Sequence, residues 1–211
     1  MFSLEYTFTN ANQMLQALAS KLNVTPKENW VFFPPEIADG YFRIMQLPNG
    51  LDISIVNCKA NTNWLLYRKS DTKEYYTLRF DELQVPDKLS IGIDHDKVEK
   101  KKETIGVVYL TSSLFDWHYL GTKGTIFKGI SIIISKEWLG KLMGFDLLDN
   151  ILPVYIDLKS RNFNMEPLDK VYKQMLNEVV EEDSPSLFPK LHITNMIQML
   201  IERFFTRIHS R

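Results

Sequence analysis

The sequence predicts an α+β protein: an antiparallel β-barrel or sandwich followed by C-terminal helices. Three observations carry this. Between Gly40 and Ile134, apolar residues alternate with period two in short runs split by turn signals, the pattern of antiparallel strands. After Ile134 the period lengthens to that of a helix. The composition is that of an ordinary globular chain, with 211 residues, 45% hydrophobic and 24% charged. Such a length can bury a core of its own.

The N-terminal part, residues 1–39, reads as a helix and an extended lead-in. Ala11, Met14, Leu15, Leu18, Ala19 and Leu22 recur at helical spacing and give Ala11–Leu22 one apolar face. Asn10 fits the N-cap, with Gln13 three residues on. Pro26 ends anything helical, and Pro34-Pro35 forces extended chain.

Residues 40–160 read as the barrel. "YFRIMQL" and "LDISIVNC" flank Pro48-Asn49-Gly50 and form a hairpin. "NWLLYRK" and "EYYTLRF" suggest a second hairpin through Ser70–Lys73. Leu83–Glu103 is polar and irregular, and its "DKVEKKKE" reads as a solvated face. "TIGVVYL", "LFDWHYL" and "TIFKGISIII" supply three more strands. "GTKGTIFKG" lacks the Gly-Lys-Ser/Thr ending of a phosphate loop and reads as a hairpin turn. Ser135 caps a short helix that Gly144 ends, and Val154–Leu158 suggests a last strand.

Residues 161–211 read as helical. Glu166–Glu181 carries Leu168, Val171, Tyr172, Met175 and Val179 at helical spacing. Leu191–Ile208 carries a wider stripe from Ile193 to Ile208. That stripe suits packing on the chain's own barrel or on a partner's helix. Met196, Leu200, Phe204, Phe205 and Ile208 are the candidate dimerisation residues, in a homodimer.

Charge and motifs narrow the chemistry. A net charge of -1 gives the chain no bulk attraction for nucleic acid. Cys58 stands alone, so no intrachain disulfide forms, which is compatible with a reducing cytoplasm. "MFSLEYTFTN" has no signal-peptide pattern, and "GISIIIS" is too short to span a bilayer. The expected location is cytoplasmic, with no membrane partner. The four histidines show no metal-ligand spacing, and no G-x-S-x-G occurs. The expectation is therefore no metal, no cofactor and no enzymatic activity.

Aromatic residues on the strands mark a candidate ligand site: Tyr41, Trp64, Tyr76, Trp117 and Tyr119, with Arg43. Ligand pockets are largely apolar with a few placed polar groups. If the face shared by Tyr41, Arg43 and Met45 points inward, Arg43 needs an anionic partner such as a bound carboxylate or phosphate. If it points outward, Arg43 is solvated. His118, in "FDWHYL", is expected to face outward or to be hydrogen-bonded within the strand.

The order of these elements resembles the N-terminal sensor and dimerisation region of AraC-type bacterial transcription regulators. The segments that carry it are "GYFRIMQLPNGLDISIVNC", "FKGISIIISKEWLGKLMG", "EPLDKVYKQMLNEVV" and "LHITNMIQMLIERFFTRIHS". The resemblance implies a cupin-like β-barrel that senses an unknown small-molecule effector, and helices that pair between subunits. It also implies DNA binding only through a following helix-turn-helix domain, not present in these residues. The metal-binding histidine cluster of enzymatic cupins is missing. A stand-alone cupin-like small-molecule-binding protein or enzyme is the alternative.

Overall fold

A computed structural model of the chain describes residues 1–7, 10–93, 96–155, 165–181 and 187–210. The elements are β1 (Phe2–Tyr6), α1 (Ala11–Leu22), β2 (Trp30–Phe32), β3 (Ala38–Gln46), β4 (Asp52–Ala60), β5 (Trp64–Arg68), β6 (Tyr75–Ile93) and β7 (Asp96–Ser112). They continue with β8 (Trp117–Gly121), β9 (Ile126–Ser135), α2 (Lys136–Met143), α3 (Phe145–Tyr155), β10 (Glu166–Pro167), α4 (Lys170–Val180) and α5 (Pro189–His209). Among the described residues, every strand pair is antiparallel except β1 with β5.

The long strand β6 organises the sheet. β7 pairs along one side of it. Two strands share its other side in succession, β9 against Tyr75–Gln84 and β8 against Leu89–Ile93. One position further out, β4 pairs with β9 and β5 with β8. β6 shifts register between Val85 and Lys88, where Pro86 cannot donate to a ladder. The gaps 61–63 and 122–125 fall level with that break. Thr122 ties the break together, accepting from the Lys88 N–H at 3.3 Å and donating to the Lys88 carbonyl at 3.1 Å. Bulges bend strands, and this aligned set divides the sheet into two half-sheets that fold toward each other.

The larger half-sheet is buried on both faces. Its inner side carries Cys58, Phe127, Leu83, Val107 and Tyr109, in one apolar cluster with β1, β5, β8 and α1. Its outer side carries Ile53, Ile55, Leu78, Phe80, Ile130 and Ile132, under the C-terminal helices. Double burial explains the unbroken apolar run in β9, because no position alternates out to water. α1 lies over the inner side with Met14, Leu15 and Leu18 turned in. Its N-cap is Asn10, whose Oδ1 accepts from the Gln13 N–H at 2.9 Å. Asn23 ends it in the left-handed region.

On the outer side, Asp169 caps α4 by accepting from the Val171 and Tyr172 N–H groups at 3.0 Å. The same carboxylate binds Arg203 and Arg207 of α5 at 2.9 Å each. Both guanidiniums lie over the Tyr172 ring. At the other end of α4, the Tyr41 hydroxyl and Arg43 Nη2 donate to the Val180 and Val179 carbonyls, each at 3.0 Å.

Several expectations differ from this structure. The β3–β4 hairpin forms as expected, but β5 and β6 do not pair with each other, and neither do β8 and β9. In both cases the chain passes from one half-sheet to the other. Most of Leu83–Glu103 is not irregular but belongs to the β6–β7 ladder. Its inward residues Leu83, Val85, Leu89 and Ile91 alternate as a strand should, though dense charge hides the period. Val154 and Tyr155 end the helix α3, packed through Leu148, Ile151 and Leu152; the rest of that expected strand lies outside the described residues. Glu166–Pro167 pairs with β7, so α4 starts later than expected.

Candidate functional site

The two half-sheets and α1 line a cavity of about 70 Å³. Register sets its chemistry. At the bend, Trp64 pairs with Gly121 across β5 and β8, while Phe127 pairs with Leu83 across β9 and β6. The Trp64 and Phe127 rings stack at 5.3 Å, and Tyr119 packs on Phe127 at 5.0 Å. Gly121 makes room here, since a Cβ on it would lie 2.7 Å from the Tyr119 hydroxyl. Phe33, Phe42, Met14 and Leu18 complete an apolar end.

Away from the bend, both half-sheets turn polar at the same level. Arg68 pairs with Trp117 on one side. On the other, Arg79 sits between Ser131 and Tyr109, one pairing step from Thr77 beside Thr111. Arg68, 3% exposed, spans the gap. Its Nη1 donates to Thr77 and Thr111 at 3.2 and 3.3 Å, and its Nη2 to the Ser112 and Phe115 carbonyls at 2.7 and 3.3 Å. Arg79 pairs with Asp81 at 3.1 Å and lies over the Trp117 ring at 4.8 Å. The Tyr109 hydroxyl donates to Asp81 at 3.0 Å. Gly129, paired with Asp81, leaves the space its carboxylate fills.

Two guanidiniums thus share this wall with one carboxylate. Burial depresses the Arg68 guanidinium. Burial acts the same way on Arg79, but Asp81 and Tyr109 outweigh it and push Arg79 upward. Burial pushes the Tyr119 phenol well above its ordinary range, so it stays a neutral donor. Three buried polar atoms of the wall have no protein partner: Arg68 Nε, Trp117 Nε1 and the Tyr119 hydroxyl.

Of the six ligand-site residues grouped by the sequence, Trp64, Trp117 and Tyr119 line this cavity. Tyr41, Arg43 and Tyr76 lie on the opposite face of the sheet. Arg43 is neither solvated nor turned into the barrel. It is buried against Trp30 and the carbonyl end of α4, where a helix carries partial negative charge. Arg68 and Arg79 were missed, although Arg68 shares the parity of Trp64. His118, on the face of β8 opposite Trp117 and Tyr119, is half-buried. Cys58 is buried, and its thiol is pushed up to about 12.

The proposed dimerisation residues pack within the chain. Leu200, Phe204 and Phe205 are buried in the outer cluster, with Met196 and Ile208 packed partly against it. In this arrangement a partner would meet other side chains of α5, among them Leu191 and Met199, which are exposed.

These features define a cupin-like α+β domain: a curled, mostly antiparallel sheet around a cavity, followed by helices. No protein-family model matches the chain, and no curated protein matches it. Solved structures resemble it weakly. One is a cupin protein from Bacteroides fragilis, at 13% identity over 40% of this chain and 65% of that one, with TM-score 0.29. Another is ectoine synthase from P. lautus, at 13% identity over 64% and 82%, with TM-score 0.30. A third is an oxalate decarboxylase from Lactobacillus farciminis, at 11% identity over 76% and 52%, with TM-score 0.30. Likenesses of this size assign no activity to this chain. They do correct the expectation that it is not an enzyme, because the proteins it resembles include catalysts and the lack of a familiar motif excludes nothing.

The wall does not suit a resident metal ion. It has one carboxylate, already bound by Arg79 and Tyr109, and no histidine. Among the described residues, no three His, Cys, Asp or Glu converge as ligands. Two cations in the same wall oppose a third. No described helix is long and apolar enough to cross a membrane.

Proposed function

We propose that this chain is the effector-sensing domain of a DNA-binding transcription regulator of the AraC type, with a small molecule held between its half-sheets. One observation carries the reading. Along β6, Arg79 and Asp81 face the cavity while Leu78 and Phe80 face the C-terminal helices. Phe80 meets the Tyr172 ring at 5.3 Å, and Tyr172 lies under Arg203 and Arg207 of α5. An occupant that favours one position of β6 then favours one seating of α4 and α5. That is linkage: the effector shifts a population only by binding its two members unequally. DNA contact belongs to a separate domain, because this chain offers no excess positive charge.

The test is recovery of crosslinked DNA from native cells carrying a tagged copy of the gene. Discrete enriched sites are expected. Uniform background, with the protein present at normal level, contradicts the regulator role and leaves a stand-alone small-molecule-binding protein.

A further inference from the structure

The polarity of the cavity specifies its occupant further, on the reading that the cavity is a small-molecule site. We infer that it takes a short-chain monocarboxylate, with the carboxylate beside Arg68 and Trp117 and the alkyl end toward Trp64 and Phe127.

Three observations converge. The first is charge. A buried charge needs a counter-charge or full hydrogen bonding. Asp81 answers Arg79. Arg68 has four neutral acceptors, and among the described residues no carboxylate lies within ion-pair distance of it. Asp116 feels the Arg68 charge, but its carboxylate accepts from Tyr67 and the Ser70 N–H and does not line the cavity. One anion would balance the wall.

The second is donors. Arg68 Nε, Trp117 Nε1 and the Tyr119 hydroxyl are all buried and unpartnered. Buried donors without partners are rare and costly. Two of the three only donate, and the third is held as a neutral phenol. Arg68 and Trp117 are cross-strand partners, so one carboxylate, with two oxygens and about four acceptor sites, can take both of their donors. The Tyr119 hydroxyl lies toward Gly121 at the bend, at the other end of the occupant.

The third is shape. The opposite end is walled by aromatic and aliphatic side chains, which reward an apolar tail and reject a second charge. A volume of about 70 Å³ is smaller than the ~150 Å³ cavity that accommodates benzene in an engineered protein. Acetate, propionate and butyrate match that size. Phosphate and dicarboxylates put charge or oxygen atoms against the apolar end.

Calorimetric titration of the full chain with propionate, its neutral isostere propionamide and propylammonium tests this. Propionate is expected to bind at least tenfold more tightly than propionamide, with no binding of propylammonium. Tyr119→Phe removes one unpartnered donor and keeps the ring. It should raise the melting temperature of the free protein and leave propionate affinity within about twofold, whereas Trp117→Phe, which removes the indole donor beside the carboxylate, should weaken propionate at least fivefold. A purely structural role does not separate the two variants in this way. Arg68→Met should erase the preference for propionate over propionamide. Equal binding of propionate and propionamide overturns the anion assignment while leaving a small-molecule site. Binding of none of the three overturns both the assignment and the reading on which it rests.

Discussion

Asp81 accepts hydrogen bonds from Arg79 and Tyr109, and its side chain is 5% exposed against 18% for Arg79. Removing one member of a buried pair leaves the other charge uncompensated, at a cost of about 3–5 kcal/mol. Asp81→Asn should therefore lower stability by about that amount in urea unfolding. A loss below ~1 kcal/mol, the range of surface pairs, would show that water reaches the pair and the cavity is open. At this scale, the aromatic part of the cavity wall was legible. Trp64, Trp117 and Tyr119 are aromatic at alternating positions on strands, which marks an apolar wall. Arg68 and Arg79 carry no such mark, because a polar residue alternating with apolar ones reads as the wet face of a sheet. Here the wet face does not exist over the larger half-sheet: one side holds Thr77, Arg79 and Asp81, the other Tyr76, Leu78 and Phe80, and both are covered. The pattern of Tyr41, Arg43 and Tyr76 carried no sign that C-terminal helices would cover them; Tyr41 and Arg43 meet α4 across 139 and 136 residues of chain.

Among the elements, α1 was readable to the residue, since its cap and its stripe are local. α3 was not. Pro153 and the β-branched residues around it resemble a strand, and only Leu148, Ile151 and Leu152 against the outer cluster reveal the helical period. The α4–α5 contact leads to two expectations. Burial alone would raise the Asp169 carboxyl, but the Tyr172 N–H, Arg203 and Arg207 outweigh it and hold it below its ordinary value. A carboxyl depressed in the folded state stabilises above its unfolded value of about 3.9, and that contribution disappears as acid titrates the folded form. Asp169→Asn keeps a good helix cap but removes the charge. The melting temperature of the parent should therefore fall more between pH 6 and pH 3, on the order of this titration range, than that of the variant; parallel falls would show that the ion pairs contribute nothing. Phe204, 1% exposed, is part of the outer cluster. Phe204→Ala should cost about 3–5 kcal/mol in denaturant unfolding, at any protein concentration. A loss that grows with dilution would instead place Phe204 in an interface between copies.

For the whole molecule, class and order of elements were legible and closure was not. Period-two runs followed by period-3.6 runs define strands followed by helices, and the structure has them. Pairing partners depend on a break that three neighbouring stretches share, at Val85–Lys88, 61–63 and 122–125. A single stretch gives no sign of that alignment. Two consecutive strands joined by a short polar loop read as a hairpin, whereas here β8 and β9 run end to end along β6. The consequence is functional as much as architectural. The bend brings the polar ends of two half-sheets together around Arg68 and leaves an aromatic end behind, while the C-terminal helices cover the outer side of the larger half.

The most direct measurement is a nitrogen–proton NMR titration of the full chain with propionate, following the Trp117 indole and Arg68 Nε–H resonances. The account predicts that both move downfield together and saturate, with smaller shifts at Phe80, Tyr172 and the arginines of α5. Shifts confined to exposed residues, with the Trp117 indole unmoved, would contradict it.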